Sequence, residues 1–307
     1  MGIKQRPNMS TDLFNLNFKT PVIAASGTFG FGRDFEDFID LNQLGGISTK
    51  GITLLEKQGN KPPRIAEYEA GIMNSVGIQN PGVHSFIEKE IPYMRRFEPK
   101  IFVNVAGSNI DEYCSIVELL ETADIDAIEL NVSCPNVKEG CLSFGNSAEG
   151  IYKITSAVRK KTSKPLIVKL TPNVSDISEI ALGAEAAGAD GLSLINTVSG
   201  MAIDINTRKP RLANISGGIS GPAIKPIAVK MVYEVAKAVQ IPVIGMGGIM
   251  TGEDAIEFFL VGARAVMIGT ANLVSPDACI RITDEIEEYL LKFGYKSIQE
   301  IIGKLEF

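Results

Sequence analysis

Ala127-Ile128-Glu129-Leu130-Asn131-Val132-Ser133-Cys134-Pro135-Asn136 opens as an apolar run and ends in a polar cluster around one thiol. A short run of this kind, halted by a proline that cannot continue a regular element, reads as a buried strand delivering its last residues to a surface. Asn131, Cys134 and Asn136 would then stand together at the strand's carboxyl end. Such a set suits a small planar polar molecule held beside a base or nucleophile. Taken alone, a cysteine before a turn is more often a buried thiol than a catalyst. The rest of the chain decides between the two.

Working outward, similar short apolar runs recur. Strands are predicted over 21–26, 46–50, 101–106, 127–131, 166–170, 191–196, 242–245 and 265–269. The runs are continuous rather than alternating, as expected of strands covered on both faces. Helix-length amphipathic stretches lie between them, over 110–122, 148–161, 175–187, 223–239 and 253–260. Three are preceded by plausible caps, Ser108-Asn109, Asn146-Ser147 and Thr251-Gly252. Two further helices, 277–292 and 297–304, are predicted to close the chain. Eight strands alternating with helices over 307 residues predict a (β/α)8 TIM barrel forming one domain over 1–307. A doubly wound open sheet is the alternative, disfavoured because no GxGxxG follows the first strand.

Composition narrows the function classes. A net charge of −6 argues against a nucleic-acid surface. No apolar run reaches the length that crosses a bilayer, and the polar N-terminus has no leader-like apolar core. A cytoplasmic location is therefore expected. The four cysteines (Cys114, Cys134, Cys141 and Cys279) form no CxxC pair, so neither a disulfide scaffold nor a metal site is expected. The single histidine, His84, follows Asn80-Pro81-Gly82 and is expected to be solvated; a histidine triad is excluded.

A barrel brings all its strand ends to one mouth. Two long insertions, 52–79 and 197–222, leave from that face and are expected to form lids or binding walls. Gly247-Gly248 and Gly269-Thr270 follow the seventh and eighth strands, where many barrels seat a phosphate on bare backbone N–H groups, and Gly221 precedes another helix. Lys50 and Lys169 lie inside apolar strands. An inward lysine is costly unless paired, so each is expected to form a Schiff base, bind a phosphate or stabilise an anionic ring. Asn74, Asn104, Asn131, Asn136 and Asn196 give the mouth a high density of amides. A phosphate-bearing cofactor, a planar polar substrate and one thiol point to redox chemistry on flavin mononucleotide (FMN).

With these residues in place, the chain resembles the class 1 dihydroorotate dehydrogenases. The motifs are Asn131-Val132-Ser133-Cys134-Pro135-Asn136, Asn74-Ser75-Val76-Gly77-Ile78-Gln79-Asn80-Pro81-Gly82 and Ile244-Gly245-Met246-Gly247-Gly248-Ile249. The segment 214–222, Asn-Ile-Ser-Gly-Gly-Ile-Ser-Gly-Pro, resembles the class 1B catalytic subunit in particular. The resemblance spans essentially the whole chain and implies an FMN enzyme of pyrimidine biosynthesis that oxidises (S)-dihydroorotate to orotate. It makes Cys134 the general base for the C5 proton. It assigns substrate to Lys50, Asn74, Ser75, Val76, Gly77, Ile78, Asn131, Asn136, Asn196 and Thr197. It assigns FMN to Ser26, Lys50, Gly51, Asn104, Asn131, Lys169, Ile195, Gly221, Gly247, Gly248, Gly269 and Thr270, with the Lys169 charge beside the flavin N1–C2 edge. Class 1B enzymes pair this subunit with a second protein carrying FAD and a [2Fe–2S] cluster, which passes electrons to NAD+. A homodimer of this chain within a heterotetramer is implied. Where the family has a Gly-Gly pair, this chain has Gly140-Cys141, a departure expected to stiffen the loop's hinge and to add a second thiol there. Alternatives are a class 1A enzyme using fumarate, a dihydropyrimidine dehydrogenase-like flavoprotein, a Schiff-base aldolase built on Lys169, and a non-catalytic binding protein.

Overall fold

A computed structural model describes residues 6–132 and 144–307. Eight parallel strands close into a barrel in chain order. They are Val22–Ala24, Gly46–Ser48, Lys100–Val105, Ala127–Asn131, Leu166–Lys169, Gly191–Leu194, Val243–Met246 and Ala265–Ile268, hereafter strands one to eight. Each falls on a predicted run, and the open-sheet alternative is excluded because the eighth strand pairs with the first. Their residues are almost wholly buried, because helices cover the outside and side chains fill the inside.

The outer helices begin where side chains can cap them. The Asn109 side chain accepts from Glu112 N–H ahead of Ile110–Glu121, and the Ser147 side chain accepts from Gly150 N–H ahead of Ala148–Arg159. The Asp176 carboxylate accepts from Ser178 and Glu179 N–H before Ile177–Ala186, and Thr251 with Asp254 forms a reciprocal capping box before Gly252–Leu260. These caps satisfy N–H groups that the first helical turn leaves without partners. Lys225–Ala238 follows the short turn Pro222–Ile224, and Ala278–Phe293 packs against Gly252–Leu260.

Both chain termini differ from expectation. The predicted helix over 297–304 is a single turn, Ile298–Glu300. Gly303 takes a positive φ of 69°, which a regular helix cannot run through. The N-terminal segment holds an unexpected hairpin, Thr11–Leu13 paired antiparallel with Leu16–Phe18. Its turn residues Phe14 and Asn15 sit at φ 57° and 61°. Leu13 and Phe18 close the amino-terminal end of the barrel against Ile23, Phe102, Ala127, Ile167, Ile244 and Met267.

The two long insertions pair with each other. Ile65–Tyr68 and Gly71–Asn74 from the first join Ser216–Ser220 and Val198–Met201 from the second in one four-stranded antiparallel sheet. The two insertions, expected as lids or binding walls, thus form one sheet. His84 is exposed, as expected.

Candidate active site

Alternate residues of each strand enter the barrel. The first inward layer is the apolar cluster above the hairpin. Two residues further along, strands two to six turn polar with Ser48, Asn104, Glu129, Lys169 and Ser193, all buried, while strands one, seven and eight stay apolar with Ala25, Met246 and Met267. Barrel interiors are ordinarily filled with branched apolar side chains, so this layer has a task other than packing. Glu129 is its centre, with no exposed surface. Its Oε1 accepts from Ser193 Oγ at 2.7 Å, and its Oε2 accepts from Ser48 Oγ at 2.7 Å and Asn104 Nδ2 at 2.6 Å. Lys169 Nζ stands 3.8 Å from Oε2. Burial pushes the Glu129 carboxyl up, but the Lys169 ammonium and the hydrogen bonds from Ser193, Ser48 and Asn104 outweigh it. They hold the carboxyl below the usual carboxylate range. The inward lysine is therefore paired. Glu129 was not among the expected site residues, although an acid inside an apolar strand is the same signal that singled out Lys169.

Above this layer lie the strand ends. Asn131 Nδ2 donates to Asn104 Oδ1 at 3.3 Å, and Asn196 Nδ2 donates to Asn131 Oδ1 at 3.4 Å. Thr197 N–H donates to Asn196 Oδ1 at 2.8 Å. Tyr113 Oη holds the Asn131 carbonyl at 2.7 Å. A methyl added to Gly51 would lie 3.1 Å from Asn104 Oδ1 and 3.2 Å from Ile78 Cγ2, so the Lys50-Gly51 turn and the 74–78 loop meet over strand three. Asn74 Nδ2 reaches Gly218 O at 3.4 Å, and Gly218 backs directly onto the Thr197 side chain. The structure thus brings Lys50, Gly51, Asn74, Ile78, Asn104, Asn131, Lys169, Asn196 and Thr197 to one mouth. The intervening loop is buttressed by Asn60, which the sequence did not single out. Its N–H donates to Val76 O at 2.9 Å and its Nδ2 to Ser75 O at 2.8 Å, and Gly77 packs against its side chain. Ser75 Oγ is buried with no hydrogen-bond partner among the described residues.

The expected phosphate loops also converge. Gly221, Gly247 and Gly248 have φ of 103°, 128° and 76°. A Cβ on Gly248 would lie 2.8 Å from Lys225 N and 2.9 Å from Gly221 O, and one on Gly247 would lie 3.2 Å from Ile195 Cγ1. Thr270 closes the group through a 2.9 Å hydrogen bond with Ser220 Oγ. Ala25 N–H donates to Ile268 O at 2.8 Å, which places Ser26 beside Gly269. A side-chain-free cradle at a helix start fits a phosphate monoester. The buried lysine and the amide row fit the polar edge of a flavin, and the orphaned Ser75 hydroxyl fits a further polar ligand. These residues suit FMN.

Cys134, Asn136 and Cys141 lie outside the described residues. Of the described thiols, burial pushes Cys279 up to about 12 and Cys114 upward, so neither is a thiolate at neutral pH. Among the described residues there is no metal-binding cluster and no helix long and apolar enough to cross a membrane.

A closed parallel barrel with a polar mouth over a buried ion pair defines an α/β-barrel enzyme working at the carboxyl ends of its strands. The model of the dihydroorotate dehydrogenase family matches residues 8–290. The chain is 54% identical over 298 residues to the dihydroorotate dehydrogenase B (NAD(+)) catalytic subunit of Alkaliphilus metalliredigens, covering 97% of this chain and 99% of that one. It is 55% identical over 300 residues to that of Alkaliphilus oremlandii, covering 98% and 99%. It is 53% identical over 298 residues to that of Caldicellulosiruptor bescii, covering 97% and 99%. The chain belongs to the dihydroorotate dehydrogenase family.

Proposed function

We propose that this chain is the FMN-bearing catalytic subunit of an NAD+-linked dihydroorotate dehydrogenase, oxidising (S)-dihydroorotate to orotate in pyrimidine synthesis. The observation that carries the reading is the 53–55% identity, over nearly full length on both sides, to three NAD+-linked catalytic subunits. It favours this class over a fumarate-linked or dihydropyrimidine-reducing relative. The pairing of Lys169 argues against a Schiff-base aldolase, because its Nζ is turned to the Glu129 carboxylate at 3.8 Å.

In this reading Cys134 removes the C5 proton of dihydroorotate. Lys50, Asn74, Ser75, Val76, Gly77, Ile78, Asn131, Asn136, Asn196 and Thr197 orient the ring. Ser26, Lys50, Gly51, Asn104, Asn131, Lys169, Ile195, Gly221, Gly247, Gly248, Gly269 and Thr270 hold FMN. When bound, FMN supplies the acceptor for the C6 hydrogen and its electron pair. Lys169, paired with Glu129, favours negative charge developing at its end of the mouth. The electrons leave through a partner subunit carrying FAD and a [2Fe–2S] cluster, in a heterotetramer built on a homodimer of this chain. A cytoplasmic location suits a charged, water-soluble substrate and NAD+. Anaerobic stopped-flow mixing of the purified flavoprotein with dihydroorotate tests substrate and cofactor together. Rapid bleaching of the flavin is expected; an oxidised spectrum that persists at millimolar dihydroorotate would sink the assignment.

A further inference from the structure

We propose that Glu129 is a positioning residue whose single negative charge sets the donor–acceptor direction of the three asparagines lining the mouth. An ionised carboxylate can only accept hydrogen bonds. Asn104 must therefore turn its amide NH2 toward Glu129, as it does at 2.6 Å. That leaves Asn104 Oδ1 facing Asn131, where it accepts from Nδ2 at 3.3 Å. Asn131 Oδ1 then faces Asn196 and accepts from its Nδ2 at 3.4 Å. Asn196 Oδ1 finally accepts the Thr197 backbone N–H at 2.8 Å.

The row is anchored at both ends by groups that cannot reverse. Glu129 is a pure acceptor at the bottom, and a backbone N–H is a pure donor at the top. Flipping any one amide sets two donors or two acceptors face to face, and a buried mismatch costs about 1–3 kcal/mol. The carboxylate keeps its charge because Lys169, Ser48, Ser193 and Asn104 together surround it. Asparagine oxygens and nitrogens are nearly the same size, so shape alone would let each amide turn over. The charge removes that freedom and fixes which edge of each amide offers a hydrogen and which a lone pair to a planar ligand. A ligand with the matching order of C=O and N–H groups binds; one with the reverse order does not.

The ligand part of this inference rests on the dihydroorotate reading, and the tests separate the two. Neutron diffraction from crystals of the deuterium-exchanged wild-type flavoprotein reads the amide directions without any substitution. Glu129 should carry no deuteron, and the Asn104 deuterons should lie on the atom facing it. The Asn131 deuterons should face Asn104, and those of Asn196 should face Asn131. A deuteron on Glu129, or an Asn104 oxygen facing it, overturns the proposal. Orotate titrated against the flavin spectrum supplies the second measurement. Glu129→Gln should weaken orotate binding about tenfold or more. The swap Glu129→Gln with Asn104→Asp returns the charge and keeps an acceptor toward Asn131, so it should recover most of that loss. A Glu129→Gln protein that keeps its flavin and binds orotate within twofold of wild type overturns the proposal, as does a swap no better than the single change. If Glu129→Gln does not fold, the neutron result decides. If wild type binds no orotate, the dihydroorotate reading fails while the amide directions are still read.

Discussion

At the scale of single residues, the site is a set of charges and hydrogen bonds whose cost is met locally. Lys169 is 5% exposed and Glu129 fully buried, and each is tolerable only because of the other. Lys169→Met should therefore act mainly through Glu129. Removing one partner of a buried pair costs about 3–5 kcal/mol. The sign with pH follows from the direction of the shift. In the intact protein the folded carboxyl lies below its unfolded value, so its contribution is present above the unfolded value and fades as pH falls through the folded one. Losing Lys169 removes the largest cause that lowers the carboxyl, so burial is expected to carry it above its unfolded value. The penalty is then full at neutral pH and shrinks on acidification. Guanidinium unfolding of Lys169→Met and wild type at pH 7 and at about pH 4.5, near the ordinary glutamate value, should show the gap narrowing at the lower pH. A gap that widens would place the charge elsewhere. Cys134→Ser is the companion test of the proposed base. A hydroxyl is a far weaker base than a thiolate at neutral pH, so flavin reduction by dihydroorotate should slow about 10²–10⁴-fold while FMN stays bound. Unchanged reduction would remove Cys134 from that role.

At the scale of elements, barrel strands deliver residues to fixed depths, and the depth decides the role. The polar layer sits one inward step above the apolar cluster of Leu13, Phe18, Phe102 and Ile167. The hairpin that seals this cluster is part of the barrel's support rather than a loose terminus. Phe18→Ala should cost about 3–5 kcal/mol of stability, read by denaturant unfolding, and leave FMN affinity in the folded protein near wild type. A parallel loss of FMN would mean that the amino-terminal floor is coupled to the mouth. The strands were readable in the sequence because parallel strands buried on both faces are written as unbroken apolar runs. The glycine cradle was readable because bare turns after the seventh and eighth strands have few other uses. The hairpin was not, since Phe14-Asn15 turns at positive φ without the glycine that usually marks such a turn. The joint sheet of the two insertions was not either: Asn74 meets Gly218 across 144 positions of sequence, and nothing local specifies that pairing. The same holds for Glu129, which is visible as an acid in an apolar strand. Its partners Ser48, Asn104, Lys169 and Ser193 come from four other strands and are known only once the barrel closes.

At the scale of the whole molecule, the question is where the electrons go after the substrate is oxidised. The fold has one barrel mouth, and the residues gathered there suit a flavin and a small planar ring. The glycines at 221, 247 and 248 converge, and a hydrogen bond between Thr270 and Ser220 ties the group at its edge. A dinucleotide needs a second phosphate and a second base site, and the chain carries no GxGxxG after a strand to provide them. In the proposed division of labour, NAD+ meets the reduced flavin through a different protein. The isolated chain, prepared with FMN, should oxidise dihydroorotate with an artificial dye as acceptor at steady turnover. With NAD+ as the sole acceptor it should turn over at least about a hundredfold more slowly, a difference worth ~2.7 kcal/mol in the barrier. Adding the electron-transfer subunit should restore NAD+ reduction without changing the rate at which dihydroorotate bleaches the flavin, because that step uses only residues of this chain. Efficient NAD+ reduction by the isolated chain would overturn the division between two subunits. Efficient turnover with fumarate would move the protein to the fumarate-linked class, with the barrel, the glycine cradle and the Glu129 layer serving the same oxidation.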